Sequence, residues 1–80
     1  MNLIEFSLRG EFITLDRLLK ATGIAASGGA AKLMVADGKV QVDGQQELRK
    51  TCKLRADQVV SLAGVRIKVL AGAEPEGDDV

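Results

Sequence analysis

The stretch Ser27-Gly28-Gly29-Ala30-Ala31-Lys32-Leu33-Met34-Val35-Ala36-Asp37-Gly38-Lys39-Val40-Gln41-Val42-Asp43-Gly44 holds two periods in succession, and the change between them decides the fold. Up to Asp37, the residues Ala31, Met34 and Val35 repeat at helical spacing as a buried stripe, leaving Lys32 to project from another side. Ser27 reads as the cap of this helix and Gly38 as its stop. Gly28 and Gly29 weaken the first turn, because glycine costs about 1 kcal/mol against alanine inside a helix. After Gly38 the period becomes two, with Val40 and Val42 alternating with Lys39 and Gln41. Asp43-Gly44 then supplies a strong hairpin turn. A helix is thus followed at once by β-structure.

Toward the N-terminus, residues 3–8 alternate loosely and Glu11-Phe12-Ile13 reads as a short extended piece. Thr14 is expected to cap a first helix, with Asp16 placed where the helix dipole favours a negative charge. Leu15, Leu18, Leu19 and Thr22 keep helical spacing, and Gly23 ends a helix of about two turns. Toward the C-terminus, Arg49–Arg55 reads as one strand, with Cys52 and Leu54 facing the core and Arg49, Thr51, Lys53 and Arg55 sharing the outer face. Val59–Ala63 and Val65–Leu70 form a hairpin around Ala63-Gly64. In its last strand Val65, Ile67 and Val69 point one way and Arg66 and Lys68 the other. The expected fold class is α+β, two short helices packed on a small, mostly antiparallel sheet. A single domain is expected over residues 1–72, followed at 73–80 by an acidic, flexible tail.

Eighty residues allow one domain, and 46% apolar with 28% charged residues describes a chain that packs. A domain of this size buries roughly 60% of its unfolded surface, so the core is thin. One cysteine cannot close an internal disulfide, which suits a reducing compartment. No apolar run approaches the roughly 20 residues that span a bilayer. Met1-Asn2-Leu3-Ile4-Glu5 lacks the basic start and apolar stretch of a secretory signal. A cytoplasmic monomer is expected.

The formal net charge of zero conceals an uneven distribution. Glu74, Glu76, Asp78 and Asp79 crowd the C-terminus, and without them residues 1–73 hold eleven bases and seven acids, a charge of +4. Between 32 and 55 stand six bases (Lys32, Lys39, Arg49, Lys50, Lys53, Arg55) against three acids (Asp37, Asp43, Glu47). A body that is basic in one region suits a polyanionic partner.

Leu15-Asp16-Arg17-Leu18-Leu19, then Gly23, then Ser27-Gly28-Gly29-Ala30-Ala31-Lys32, then Gly38-Lys39-Val40-Gln41-Val42-Asp43-Gly44 resembles the RNA-binding domain of small-subunit ribosomal protein four, the S-four domain. Arg49-Lys50-Thr51-Cys52-Lys53 is similar to the Arg-Lys-x-Cys-Lys stretch of the small stand-alone bacterial S-four-like proteins called YbcJ-like. The resemblance covers about residues 12–70. It implies a helix pair and adjoining β-loop that hold structured RNA, ribosomal or transfer RNA among the candidates, with basic side chains on phosphates. By position, Ser27 matches the capping serine, Lys32 the basic residue of the second helix, Lys39 the residue after the glycine and Asp43-Gly44 the hairpin turn. Many family members carry arginine directly after the capping serine, where this chain has Gly28; one phosphate contact is thereby lost, and the bases of Arg49–Lys53 are placed to compensate.

The residues expected to contact RNA are therefore Lys32, Lys39, Arg49, Lys50, Lys53 and Arg55. Three bases within 49–53 repel one another in a bare fold, and phosphates relieve that repulsion. Arg66 and Lys68 belong to the solvated side of the last hairpin and could extend the patch. Enzyme chemistry has little to stand on: there is no histidine, no cysteine cluster for zinc, no Walker spacing and no metal-loop pattern of acids. No cofactor is expected. Cys52 is read as a small core residue and Asp43 as a turn former. The only aromatics, Phe6 and Phe12, lie on apolar patterns, so no stacking platform is expected and recognition should rest on RNA shape. Three other readings are weaker. A DNA-binding helix-turn-helix needs polar base readers where the second helix offers Ala30, Ala31, Leu33, Met34 and Val35; a protein–protein adaptor rests chiefly on Leu33. A ubiquitin-like sulfur carrier should end in Gly-Gly, and this chain ends in Asp-Asp-Val.

Overall fold

The computed structural model describes residues 2–72, so the acidic tail expected at 73–80 lies outside the described residues. Along the chain run β1 (Asn2–Ser7), β2 (Ile13–Thr14), α1 (Leu15–Ala21), α2 (Gly28–Ala36), β3 (Gln41–Val42), β4 (Gln45–Gln46), β5 (Lys53–Leu54), β6 (Val59–Leu62) and β7 (Val65–Leu70). The ends of α2 follow the sequence reading. The Ser27 hydroxyl oxygen accepts the Ala30 amide at 3.1 Å, and Gly38 leaves the helix at φ +74°, a left-handed conformation that suits a residue without Cβ. Asp43 and Gly44 take φ of 53° and 84°, and Ala63 and Gly64 47° and 78°. Two successive left-handed residues match the twist of tight hairpins, and both hairpins close there. The Asp43 carboxylate also accepts the Val59 amide at 3.0 Å and the Gln58 side-chain amide at 3.1 Å, tying its turn to β6.

The main sheet has the order β1-β7-β6-β3-β4. Its pairs are antiparallel except β1 with β7, which run parallel with Ile4 opposite Ile67 and Phe6 opposite Val69. A parallel pair needs a long crossover, and here that crossover contains both helices. One face of the sheet carries Val42, Val60, Leu62, Ile67 and Val69, which share a single core with Leu15, Leu18, Leu19, Ala31 and Val35 of the helices. The other face is open, with Leu3, Glu5, Gln41, Arg66 and Lys68 exposed. The domain is α+β, two helices on a mostly antiparallel sheet.

Two local expectations are corrected, and one cause explains both. Thr14 precedes α1 in extended conformation, yet its side chain makes no capping hydrogen bond. The first amides of α1 are instead taken by backbone carbonyls: Leu15 N–H donates to Cys52 O at 2.9 Å, and Asp16 N–H to Lys50 O at 3.0 Å. To present those carbonyls the chain cannot run straight through 49–55. It turns at 50–51, with the Cys52 amide donating to Arg49 O at 3.2 Å, and only Lys53–Leu54 is strand, paired with β2 in a separate two-stranded sheet. Arg49 and Thr51 therefore do not share a strand face with Lys53.

The two helix starts should respond differently to loss of a hydroxyl. Ser27→Ala is expected to lower stability by about 1 kcal/mol in urea denaturation. Thr14→Val, which keeps the shape and removes an oxygen that caps nothing, should change it by less than about 0.5 kcal/mol.

Candidate nucleic-acid interface

The β2–β5 pair sets Ile13 opposite Leu54 and Thr14 opposite Lys53, so the same register brings Phe12 alongside Arg55. Lys53 Nζ lies 4.9 Å and Arg55 Cζ 5.8 Å from the centre of the Phe12 ring. A cation over an aromatic face gains about 0.5–1 kcal/mol at exposed sites, which holds both side chains at this end of the molecule. Phe12 is 41% exposed. Ile13 and the fully buried Leu54 take the inward positions, and Phe12, read from the sequence as lying on an apolar pattern, stands exposed with the cations. Phe6, by contrast, is half-buried and packs against the core. Phe12 also lines a hollow together with Phe6, Arg9, Gly10, Ile13, Thr14 and Arg17. Neither arginine was singled out from the sequence. Arg17 lies within the motif Leu15–Leu19, but nothing in linear spacing connects Arg9 to Lys53; the β2–β5 pairing does.

The other bases fall into three places. Arg49 is at the turn beside Lys53, the two sharing a shallow depression with Thr51 and Cys52. It is also partly committed, because its Nε donates to Glu47 at 3.1 Å and its backbone amide to the same carboxylate oxygen at 3.0 Å. Glu47 is 17% exposed and Arg49 78%, so the carboxylate is the sheltered partner and the guanidinium faces solvent. The Arg49 side chain and amide hold the Glu47 carboxyl well below its usual 4.5, at about 2. Burial, with the nearby Glu47 charge and hydrogen bond, pushes the Cys52 thiol up, so it stays protonated. Lys50 has an exposed side chain above the carbonyl that caps α1.

Lys39 is exposed and lines a separate depression with Gln41 and Arg66 at the β6–β7 hairpin end. Lys32 stands exposed on α2 and lines neither the Phe12 hollow nor the Arg49 depression. Of the six expected residues, then, Arg49 and Lys53 share a depression and Lys53 and Arg55 share the Phe12 ring, while Lys32 and Lys39 line neither that depression nor the Phe12 hollow. Among the described residues, no group of three or more histidine, cysteine, aspartate or glutamate side chains could hold a metal, and no helix is long and apolar enough to cross a membrane.

The S4 domain family matches residues 6–70, nearly all of the described chain. The chain belongs to the S4 domain family. The "Putative RNA-binding protein YbcJ" of Escherichia coli (strain K12) is 48% identical over 59 residues, which is 74% of this chain and 84% of that protein. The "Uncharacterized protein YbcJ" of Shigella flexneri matches with the same figures. The solution structure of YbcJ from E. coli superposes with a TM-score of 0.69 at 44% identity, covering 89% of this chain and 91% of that one; its description speaks of an αL motif involved in RNA binding.

The Glu47–Arg49 contact makes a pH prediction. The carboxyl titrates lower in the folded protein than in the unfolded chain, so its stabilisation is complete above about pH 4.5 and fades as pH falls toward about 2. The thermal midpoint of the wild type should drop over that window, and Glu47→Gln should show a shallower drop.

Proposed function

We propose that this protein binds folded RNA, ribosomal or transfer RNA being the leading classes, and catalyses no reaction. The observation that carries the reading is the gathering of Lys53 and Arg55 on Phe12, with Arg9 and Arg17 lining a hollow that includes the same residue and Arg49 sharing a depression with Lys53. Glu11 and Asp16 are the acids nearest in sequence, and Asp16 already accepts the Arg17 amide at 2.9 Å. The balance is positive, as a phosphate backbone requires. Membership of the S4 domain family and likeness to a YbcJ structure described with an RNA-binding motif point the same way. Lys32 and Lys39 fit as outlying contacts that reach flanking phosphates of a broad RNA. A protonated Cys52 thiol suits packing and does not suit nucleophilic chemistry.

DNA reading by α2 has less support, since the helix presents small and apolar side chains where base edges call for polar ones. An adaptor role is favoured by one observation, the 65% exposure of Leu33 beside Lys32.

About four phosphate contacts should give a log–log salt slope of roughly −3 to −4, close to a hundredfold loss of affinity for a folded transfer RNA between about 50 and 200 mM salt. The combined change of Arg49, Lys50 and Lys53 to alanine should weaken that binding at least tenfold while circular dichroism stays native, because the Lys50 and Arg49 carbonyls that shape the turn remain. Unchanged RNA affinity in that variant, with a Leu33→Ala variant losing a protein partner instead, would favour the adaptor.

A further inference from the structure

The hollow beside Phe12 is more than the edge of a charged patch. It has a volume of about 300 Å³ and is lined by Phe6, Arg9, Gly10, Phe12, Ile13, Thr14 and Arg17. That is the lower end of the roughly 300–1,000 Å³ of small-ligand pockets, room for one flat ring system and little else. Its walls combine two aromatic rings and an isoleucine with two guanidinium groups at the border. Lys53 and Arg55 lie over the Phe12 ring and are not among the residues that line the hollow. Thr14, whose side chain makes no capping hydrogen bond, also lines the hollow and carries a hydroxyl able to donate and accept.

We propose that this hollow takes a single unpaired nucleobase turned out of the bound RNA, packed against Phe12, with Arg9 and Arg17 on the adjoining phosphates. The inference rests on the RNA-binding reading and adds to it a site for an unstacked base. An aromatic ring accepts any base by its π face, and the four cations near it, Lys53 and Arg55 over the ring and Arg9 and Arg17 in the lining, suit the phosphates that accompany the base. Arginines at the rim reach phosphate in the two-pronged geometry that a lysine cannot offer. A strictly double-helical RNA keeps its bases stacked and offers the hollow nothing, so the site converts a shape-reading patch into one that prefers loops and bulges.

The test uses the full chain and two RNA probes of equal length and charge, a hairpin with a five-nucleotide loop carrying 2-aminopurine and a blunt duplex. The wild type should bind the hairpin about tenfold more tightly than the duplex, and the 2-aminopurine fluorescence should change on binding as its stacking partner changes. Phe12→Ala should erase the preference, bringing hairpin affinity down to that of the duplex, whose own affinity falls to the extent that Lys53 and Arg55 lose the ring that holds them. Phe12→Tyr should keep the preference, and Phe12→Leu, which fills the space without a ring, should lose it. Equal binding of both probes by the wild type, or a Phe12→Ala or Phe12→Leu variant that retains the hairpin preference, overturns the base site and leaves phosphate binding standing. Failure of the wild type to bind either probe at 50 mM salt overturns the RNA reading itself and the base site with it.

Discussion

Two backbone hydrogen bonds, from the Leu15 and Asp16 amides to the carbonyls of Cys52 and Lys50, join the helical half of the chain to its basic segment. The first turn of a helix always has amides without an intrahelical partner, and a side-chain cap is the usual local remedy. Here the partner is another stretch of backbone. Because carbonyls satisfy α1, residues 49–52 must bend around its start, and because β5 then pairs with β2, Lys53 and Arg55 arrive at Phe12. The core of Leu15, Leu18, Leu19 and Leu54 lies directly beneath, so the position of the charged surface is fixed by apolar packing.

The charged surface is not uniformly available. Glu47 is sheltered and lies against Arg49, which moderates the repulsion that three clustered bases would otherwise meet in the free protein. The guanidinium faces solvent, and a phosphate can approach it from the side opposite the carboxylate. Lys53 and Arg55 are steadied by an aromatic ring, which costs no opposing charge. The two devices position cations differently: one lowers the local charge, the other preserves it.

Much of the fold was legible because it rests on local chemistry. The Ser27 cap, the glycine stops at 23 and 38, and the Asp43-Gly44 and Ala63-Gly64 turns are all short-range signals, and each appears where the residues place it. The alternation of Ile67 and Val69 with Arg66 and Lys68 is likewise written in one strand. What could not be read depends on partners distant in sequence. The parallel β1–β7 pairing, the carbonyls that replace the Thr14 cap and the break in Arg49–Arg55 each require knowledge of a segment elsewhere. The exposure of Phe12 was illegible for the same reason, since its place on an apolar pattern says nothing of the two cations that β5 brings to its ring. Within the candidate site, Arg49, Lys50, Lys53 and Arg55 could be found by their density in sequence, whereas Arg9 and Arg17 join them only through the fold.

The carbonyl cap also orders events in time. The partners of the Leu15 and Asp16 amides lie more than thirty positions further along the chain, so α1 cannot complete its first turn from its own neighbourhood. A two-turn helix is marginal in isolation. Loop closure between residues 15 and 52 therefore adds to what its own neighbourhood supplies, and in the folded protein the amides at its start are shielded from solvent by the basic segment. Helix and basic segment open and close as one cooperative unit.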